Sequence, residues 1–176
     1  MRIIARQGQV AEMLPKLRQV GKSDGWTTRF IDPSTGQRWT QMSLGAEHHG
    51  GGTPILLPDP MPSVRDLILI ASTSNDAAEI AASAWLLTEI DREGSYREHL
   101  VRAAEAAATA GSQEHAALLV GWGRLQNTAN LRPTIGKDPA EVSADHKHFQ
   151  DIATRAKALL HLGANDPLLR DPKVFE

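Results

Sequence analysis

The sequence predicts an α+β domain that is mostly helical, on three observations. Two β-like stretches flank a turn in the first quarter of the chain, a Gly/Pro-rich segment follows at 45–62, and stretches with helical spacing and capping residues fill most of the rest. The length of 176 residues, with 41% hydrophobic and 23% charged residues, fits one globular domain. Within it we expect a helix, a β-hairpin and a Gly/Pro-rich loop over 1–62, helices over 63–164 and an extended tail over 165–176.

The first element is predicted to be a helix within residues 7–20. Apolar residues recur there at the spacing of one helix face, at Val10, Met13, Leu14, Leu17 and Val20. Pro15 lies inside this stretch, and a proline in a helix interior removes a hydrogen bond and clashes with the preceding turn. We therefore expect a short or kinked helix.

A β-hairpin is predicted at 26–43. Residues 26–31 are rich in aromatic and β-branched side chains, and residues 37–43 resume an alternating pattern. The segment DPSTG at 32–36 between them is a turn signal. A two-stranded hairpin is marginally stable by itself. We therefore expect Trp26, Phe30 or Trp39 to pack onto helices or a further strand.

Five helices are predicted after the Gly/Pro-rich loop of 45–62. Each begins at a residue that can cap a helix N-terminus, namely Ser63, Asn75, Ser95, Ser112 and Asp138. Ser95 and Glu98 have the spacing of a capping box, and Asp138 is followed by a proline at the first helical position. Because the links are short and 71–117 is rich in alanine, we expect antiparallel helical hairpins with HEAT-like stacking.

Composition excludes several function classes. The chain has no cysteine, so disulfides, zinc ribbons and thiol nucleophiles are ruled out. The net charge of −2 does not favour broad binding to nucleic acid or to anionic membranes. Residues 1–60 carry a net charge of +2 and residues 61–176 a net charge of −4. The N-terminus lacks the apolar stretch of a secretory signal and no segment is long enough to span a bilayer, so we expect a cytoplasmic, bacterial-type protein with no membrane partner.

The segment Glu47-His48-His49-Gly50-Gly51-Gly52 is the feature that folding explains least. Adjacent histidines beside three glycines gain nothing from core burial, and such a loop suits protein recognition. Two histidines and a carboxylate could also bind a divalent metal. However, adjacent side chains of an extended segment point to opposite sides, so His48 and His49 could both be ligands only in a turn. A purely structural loop is the third interpretation.

A second group lies at Asp145, His146 and His148. On a helix, His148 shares a face with Asp145 and Asp151, opposite the apolar stripe of Phe149. The simplest interpretation is a solvated polar face. If the fold brings this group to His48 and His49, a mixed His/Asp metal site becomes possible, and the protein would be a metal-dependent hydrolase that uses His48, His49 and one of Asp145, His146 or His148.

Other catalytic or nucleic-acid signatures are weak. The chain has no G-x-S-x-G nucleophile elbow and no phosphate-binding glycine motif. Arg29, Arg38 and the hairpin aromatics could form a stacking platform for single-stranded nucleic acid, but the net charge argues against it. These residues favour a protein that binds over one that catalyses, without a cofactor unless the histidines hold a metal.

The layout resembles small bacterial immunity proteins of polymorphic toxin systems. The resemblance covers about residues 26–110: Trp39, then the EHHGGGTP segment at 47–54, then SVRDLI at 63–68 leading into alanine-rich helices. It implies a single-domain cytoplasmic protein that binds a cognate toxin and occludes its active site. It identifies no functional residue.

From the residues and this resemblance we expect a non-enzymatic protein-binding module, whose partner in a toxin–antitoxin pair would be the toxin. The expected partner-binding residues are Trp39 of the hairpin and the loop Glu47, His48, His49, Gly50, Gly51 and Gly52. The metal-dependent hydrolase is one alternative. The other is a helical scaffold or adaptor whose helical face binds a peptide.

Overall fold

The computed structural model describes residues 2–23, 27–45, 52–161 and 172–176, which form a four-stranded sheet beside a group of helices. The strands are β1 Arg18–Ser23, β2 Thr27–Ile31, β3 Arg38–Leu44 and β4 Thr53–Asp59. The helices are α1 Gln7–Met13, α2 Val64–Thr73, α3 Ala77–Ile90, α4 Tyr96–Thr109, α5 Gln113–Trp122 and α6 Pro139–His161. The α+β, mostly helical class is confirmed, as is the order of an N-terminal helix followed by a hairpin.

The sheet is antiparallel throughout, with the strand order β1-β2-β3-β4. The predicted hairpin is β2 and β3, joined by the turn at 32–37, and Phe30 pairs with Trp39 across it. At the far edge of the sheet Ile4 forms an isolated bridge with Leu56, so the N-terminal segment protects part of β4. The expectation that a further strand supports the hairpin is confirmed for Phe30, which pairs with Gln19 of β1, and for Trp39, which pairs with Pro58 of β4; Trp26 lies outside the described residues.

The predicted helix of 7–20 is wrong in its second half. The α-helix ends at Met13, a 3-10 turn at Leu14–Lys16 contains Pro15, and Leu17 is already extended. Residues 18–23 then pair with β2 as strand β1, with a bulge between Gln19 and Gly21. Proline stops the helix, and pairing with a strand formed later in the chain decides the conformation of residues 18–23.

The predicted loop of 45–62 is also wrong in part, because it contains β4. Ile55, Leu56 and Leu57 of this strand are almost completely buried. Leu56 exchanges backbone hydrogen bonds with Ile4, on the side away from β3. Backbone groups alternate along a strand, so Pro54 and Pro58 also direct their backbone nitrogens away from β3 and remove no hydrogen bond from that pairing.

Two of the five helix starts are capped by the predicted side chains. Ser63 and Asp66 form a capping box at α2, and Asp138 and Glu141 hydrogen-bond each other's backbone N–H at α6. At α3 the cap is Asp76, the residue after the predicted Asn75. At α4 the side chain of Ser95 makes no capping hydrogen bond, so the predicted capping box of Ser95 and Glu98 is wrong.

The carboxylate that acts at the start of α4 is Asp91. It accepts hydrogen bonds from the Ser95 hydroxyl and from the Tyr96 backbone N–H, the latter at 2.9 Å. At α5 the side chain of Ser112 makes no capping hydrogen bond, although the helix begins where predicted. Local sequence thus located the helix starts more reliably than the groups that cap them.

The helices pack in the pairs expected for hairpins. α2 contacts α3, α4 contacts α5, and contacts of α3 with α5 and of α2 with α4 place the pairs side by side. α6 packs on α4 and α5. The core joins these helices to one face of the sheet through Leu44, Ile55 and Leu57. None of the helices in the described part of the chain is both long and apolar enough to cross a bilayer.

The predicted extended tail is wrong at its end. Residues Pro172–Phe175 form a 3-10 turn, and the buried ring of Phe175 packs edge-to-face on Trp122 with 5.3 Å between ring centroids. The rest of the predicted tail, 165–171, lies outside the described residues. Burial of one aromatic ring anchors the C-terminus to the helices.

Candidate functional site

Trp39 lies in the middle of a cross-strand row on one face of the sheet. Its partners are Phe30 on β2 and Pro58 on β4, and its side chain is half-buried. The indole Nε1 is buried and has no hydrogen-bond acceptor among the described residues. An unpartnered buried donor is uncommon in proteins. Trp39 therefore packs in the sheet and still exposes part of its ring.

The predicted recognition loop lies largely outside the described residues, which include Gly52 but not 46–51. The base of the loop is nevertheless defined, because Leu44 pairs with Thr53. Leu44 is five residues from Trp39 along β3, a separation of about 17 Å at the rise of a β-strand. Trp39 and the loop are predicted to form one binding surface, and the sheet places Trp39 and the Leu44–Thr53 pair toward opposite ends of β3.

The second predicted group lies on α6, and its carboxylate is already engaged. Asp145 accepts hydrogen bonds from Arg132 Nη1 and Lys137 Nζ, both at 2.6 Å. The bonds from Lys137 and Arg132 hold the pKa of Asp145 below its usual value. Both carboxylate oxygens thus have cationic partners. The side chain of Asp145 forms salt bridges, and the expectation that it lies on a solvated polar face is wrong for this residue.

The two histidines of this group face different surroundings. His146 is exposed and its Nε2 lies 2.7 Å from the side-chain nitrogen of Gln150. His148 is half-buried and its ring lies edge-on to Phe149, with 5.5 Å between centroids. In the described ranges no three His, Asp or Glu side chains are grouped so as to hold a metal ion. His48 and His49, the other half of the alternative metal site, lie outside those ranges.

Strands β1, β2 and β3, which we call the outer sheet, are partly exposed. Among its described side chains only Leu44 is buried, whereas four consecutive residues of β4 are buried. Its apolar side chains that are not buried are Val20, which is 53% exposed, and the half-buried Phe30, Ile31, Trp39 and Met42. Met42 and the buried Leu44 pack against the helical core, so helices cover β4 and this end of β3 and leave the rest of the outer sheet accessible.

The register places arginines and aromatic rings on opposite faces of the outer sheet. Arg18 and Arg38 both pair with Ile31, and residues directly opposite each other share a face. Phe30 and Trp39 pair with each other one residue away, on the other face. The suggested stacking platform needs rings and guanidinium groups together, and the described residues of the hairpin do not form one; Trp26 lies outside the described residues.

A groove of about 560 Å³ lies between α1 and the β2–β3 turn. Its lining includes the apolar Ile4, Met13 and Leu17, with Glu12 and Asp32 among the polar residues. Asp32 accepts hydrogen bonds from the hydroxyl and the backbone N–H of Ser34, which lower its pKa. This carboxylate therefore organises the turn, and the groove adds a mixed apolar and polar border to the outer sheet.

Sequence reasoning missed that Arg18, Arg29 and Arg38 share one face of the outer sheet, with Arg29 two residues from Ile31 on β2. Arg18 was predicted to lie in a helix, and the face on which a strand residue lies depends on the pairing register. The alternation of Arg29 and Ile31 was visible, but it does not show which residue of a neighbouring strand lies opposite. In comparisons with known proteins, no family model, no curated protein and no solved structure matches this chain.

Proposed function

We propose that this chain is a non-enzymatic protein-binding module and that its outer sheet is the recognition surface. The observation that supports this most is that four apolar side chains of the outer sheet lie outside the helical core, the exposed Val20 and the half-buried Phe30, Ile31 and Trp39. Phe30 and Trp39 are neighbours on one face, and Ile31 lies on the other between two arginines. Exposed apolar side chains bordered by polar residues are typical of protein-interaction sites. Tryptophan and arginine are also the side chains enriched at such interfaces.

The resemblance to immunity proteins gives this function a specific form. The partner is then a toxin encoded beside this chain, and binding occludes the toxin's active site. A rigid antiparallel sheet suits that task, because it presents side chains in fixed positions and loses little conformational entropy on binding. The mixed groove beside the β2–β3 turn extends the same surface.

The experiment uses a photo-crosslinking amino acid at two matched positions. Val20 on β1 is 53% exposed and Leu69 on α2 is 61% exposed, so both accept a benzoylphenylalanine at the surface. Each variant is mixed with the purified product of the neighbouring gene and irradiated. We expect a stoichiometric complex and a crosslink from position 20 only.

Two results would overturn the proposal. If the neighbouring product does not bind the chain, or if its toxicity in cells is unchanged by co-expression, the immunity role is wrong. If a complex forms and the crosslink comes from position 69 only, the partner binds the helices and the outer sheet is not the recognition surface.

A further inference from the structure

Resting on the proposed function, we infer that one face of the outer sheet binds an acidic protein surface through Arg18, Arg29 and Arg38. Arg18 and Arg38 flank Ile31 in one cross-strand row, and Arg29 lies two residues from Ile31 on the same face of β2. At the usual strand spacing, the Cα atoms of Arg18 and Arg38 lie about 10 Å apart and that of Arg29 about 7 Å from that row.

These three guanidinium groups are exposed and available. No carboxylate or other acceptor within the described ranges makes an ion pair or hydrogen bond with the side chain of Arg18, Arg29 or Arg38. Among the described strand residues, the carboxylate on the same face is Asp59, which pairs in register with Arg38 at the end of β4. With one acid against three arginines, these described residues carry a net charge of +2.

Arginines outside the sheet differ in their pairing. Arg2, Arg6, Arg102, Arg132 and Arg155 have carboxylate partners, whereas the exposed Arg65 and Arg92 make no ion pair among the described residues. The chain as a whole is slightly acidic. Arg18, Arg29 and Arg38 are distinguished by lying together on one face of the outer sheet, at the proposed recognition surface.

The chemistry of the face fits carboxylates of a protein. A guanidinium group is planar and can bind a carboxylate through two parallel hydrogen bonds. Ile31, half-buried between Arg18 and Arg38, supplies the apolar centre that protein interfaces combine with a charged rim. Single-stranded nucleic acid also binds arginine, but the rings on which its bases would stack, Phe30 and Trp39, lie on the other face.

The test compares two double variants of the full chain with equal change of charge. Arg29→Glu/Arg38→Glu alters the face, and Arg65→Glu/Arg92→Glu alters two exposed arginines outside the sheet. Binding to immobilised poly-L-glutamate and to a single-stranded oligonucleotide is measured by biolayer interferometry at increasing salt. We expect the wild-type chain to bind poly-L-glutamate in a salt-sensitive manner, the sheet variant to bind about tenfold more weakly or worse, and the control variant to bind as wild type.

Several results would overturn this inference. They are no binding of poly-L-glutamate by the wild-type chain, an equal loss in both variants, or a sheet variant that binds as wild type. Tighter binding of the oligonucleotide, lost in the sheet variant, would make the face a nucleic-acid surface. Thermal melting checks that both variants fold, and Arg29→Gln/Arg38→Gln replaces the sheet variant if charge reversal unfolds it.

The same variants separate this inference from the proposed function. If the neighbouring product still crosslinks to position 20 and binds Arg29→Glu/Arg38→Glu with unchanged affinity, the outer sheet is the recognition surface and the acidic partner is wrong. If the product does not bind the wild-type chain, the proposed function is wrong, whether or not the chain binds poly-L-glutamate.

Discussion

Replacing Arg155 tests how α6 is held against α4. Its guanidinium donates from Nε and Nη2 to the two carboxylate oxygens of Glu105, both at 2.8 Å, and from Nη1 to Glu98 at 3.1 Å. Arg155→Met keeps an unbranched apolar stem and a similar helix propensity. The substitution thus removes the ion pairs with little change in the helix itself.

The magnitude follows from the partial exposure of the site. The side chains of Arg155, Glu105 and Glu98 are 27%, 39% and 24% exposed. Buried hydrogen bonds to charged groups contribute about 1.5–3 kcal/mol each, and exposed ion pairs about 0.2–1 kcal/mol. A bidentate pair with a second carboxylate at intermediate exposure should therefore contribute about 2 kcal/mol to the free energy of unfolding.

Arg102→Met is the matched control. Arg102 also pairs with Glu98, at 2.6 Å, but its side chain is 72% exposed and the pair lies within α4. Such an exposed pair four residues apart should contribute at most about 0.5 kcal/mol. Urea unfolding followed by circular dichroism gives both free energies. An Arg155→Met variant that loses no more stability than Arg102→Met at neutral pH would refute the ion-pair explanation.

The pH dependence gives a second check of the same network. Hydrogen bonds from Arg155 lower the pKa of Glu105. Burial acts to raise the pKa of Glu98, but bonds from Arg102 and Arg155 outweigh it and lower the pKa. Groups with a lowered pKa stabilise the fold above about pH 4.5 and lose that contribution as the pH falls through their folded pKa values. The difference between wild type and Arg155→Met should therefore shrink in acid; a constant difference would contradict the role of the two carboxylates.

Three further substitutions should lower stability, each measured by urea unfolding. Tyr96→Phe removes the hydrogen bond that the buried hydroxyl donates to the Gly123 carbonyl at 3.1 Å and should cost about 1–2 kcal/mol; an unchanged midpoint would contradict this. Gly94→Ala adds a Cβ 2.9 Å from Leu131 Cδ1 at a backbone φ of +69°, so it should lower the free energy of unfolding by about 1–3 kcal/mol. An unchanged free energy would show that the backbone and Leu131 shift to make room for the Cβ. Ser63→Ala removes the α2 cap and should cost about 1 kcal/mol, whereas Ser63→Thr should retain most of the stability.

The elements that sequence predicted correctly depend on neighbouring residues. The β2–β3 turn contains Asp32, whose carboxylate binds Ser34, and the α2 cap joins Ser63 to Asp66. Both interactions link residues two or three positions apart, so the local pattern contains all the information. The predicted cap of α4 was wrong because Asp91 lies outside the four-residue capping box. Its carboxylate is a stronger hydrogen-bond acceptor than the Ser95 hydroxyl and accepts from the Tyr96 N–H.

The candidate site could be predicted only in part. Trp39 was identified because tryptophan on an alternating strand stands out, and the structure places it on the outer sheet. Its separation from the Leu44–Thr53 pair could not be predicted, because that pair depends on where β4 begins. Asp145 was identified as a possible metal ligand, but its partners Arg132 and Lys137 come from an irregular segment whose path no local pattern specifies.

By itself the sequence determined the helical content, the hairpin and most helix starts, since apolar periodicity, turns and caps act over a few residues. Tertiary structure alone decided that 18–23 and 53–59 are strands, because each gains its backbone hydrogen bonds from a different strand. It also decided which side chains share a face, because a shift of one residue in register moves every side chain of a strand to the opposite face of the sheet. The grouping of Arg18, Arg29 and Arg38 around Ile31 is a consequence of that register.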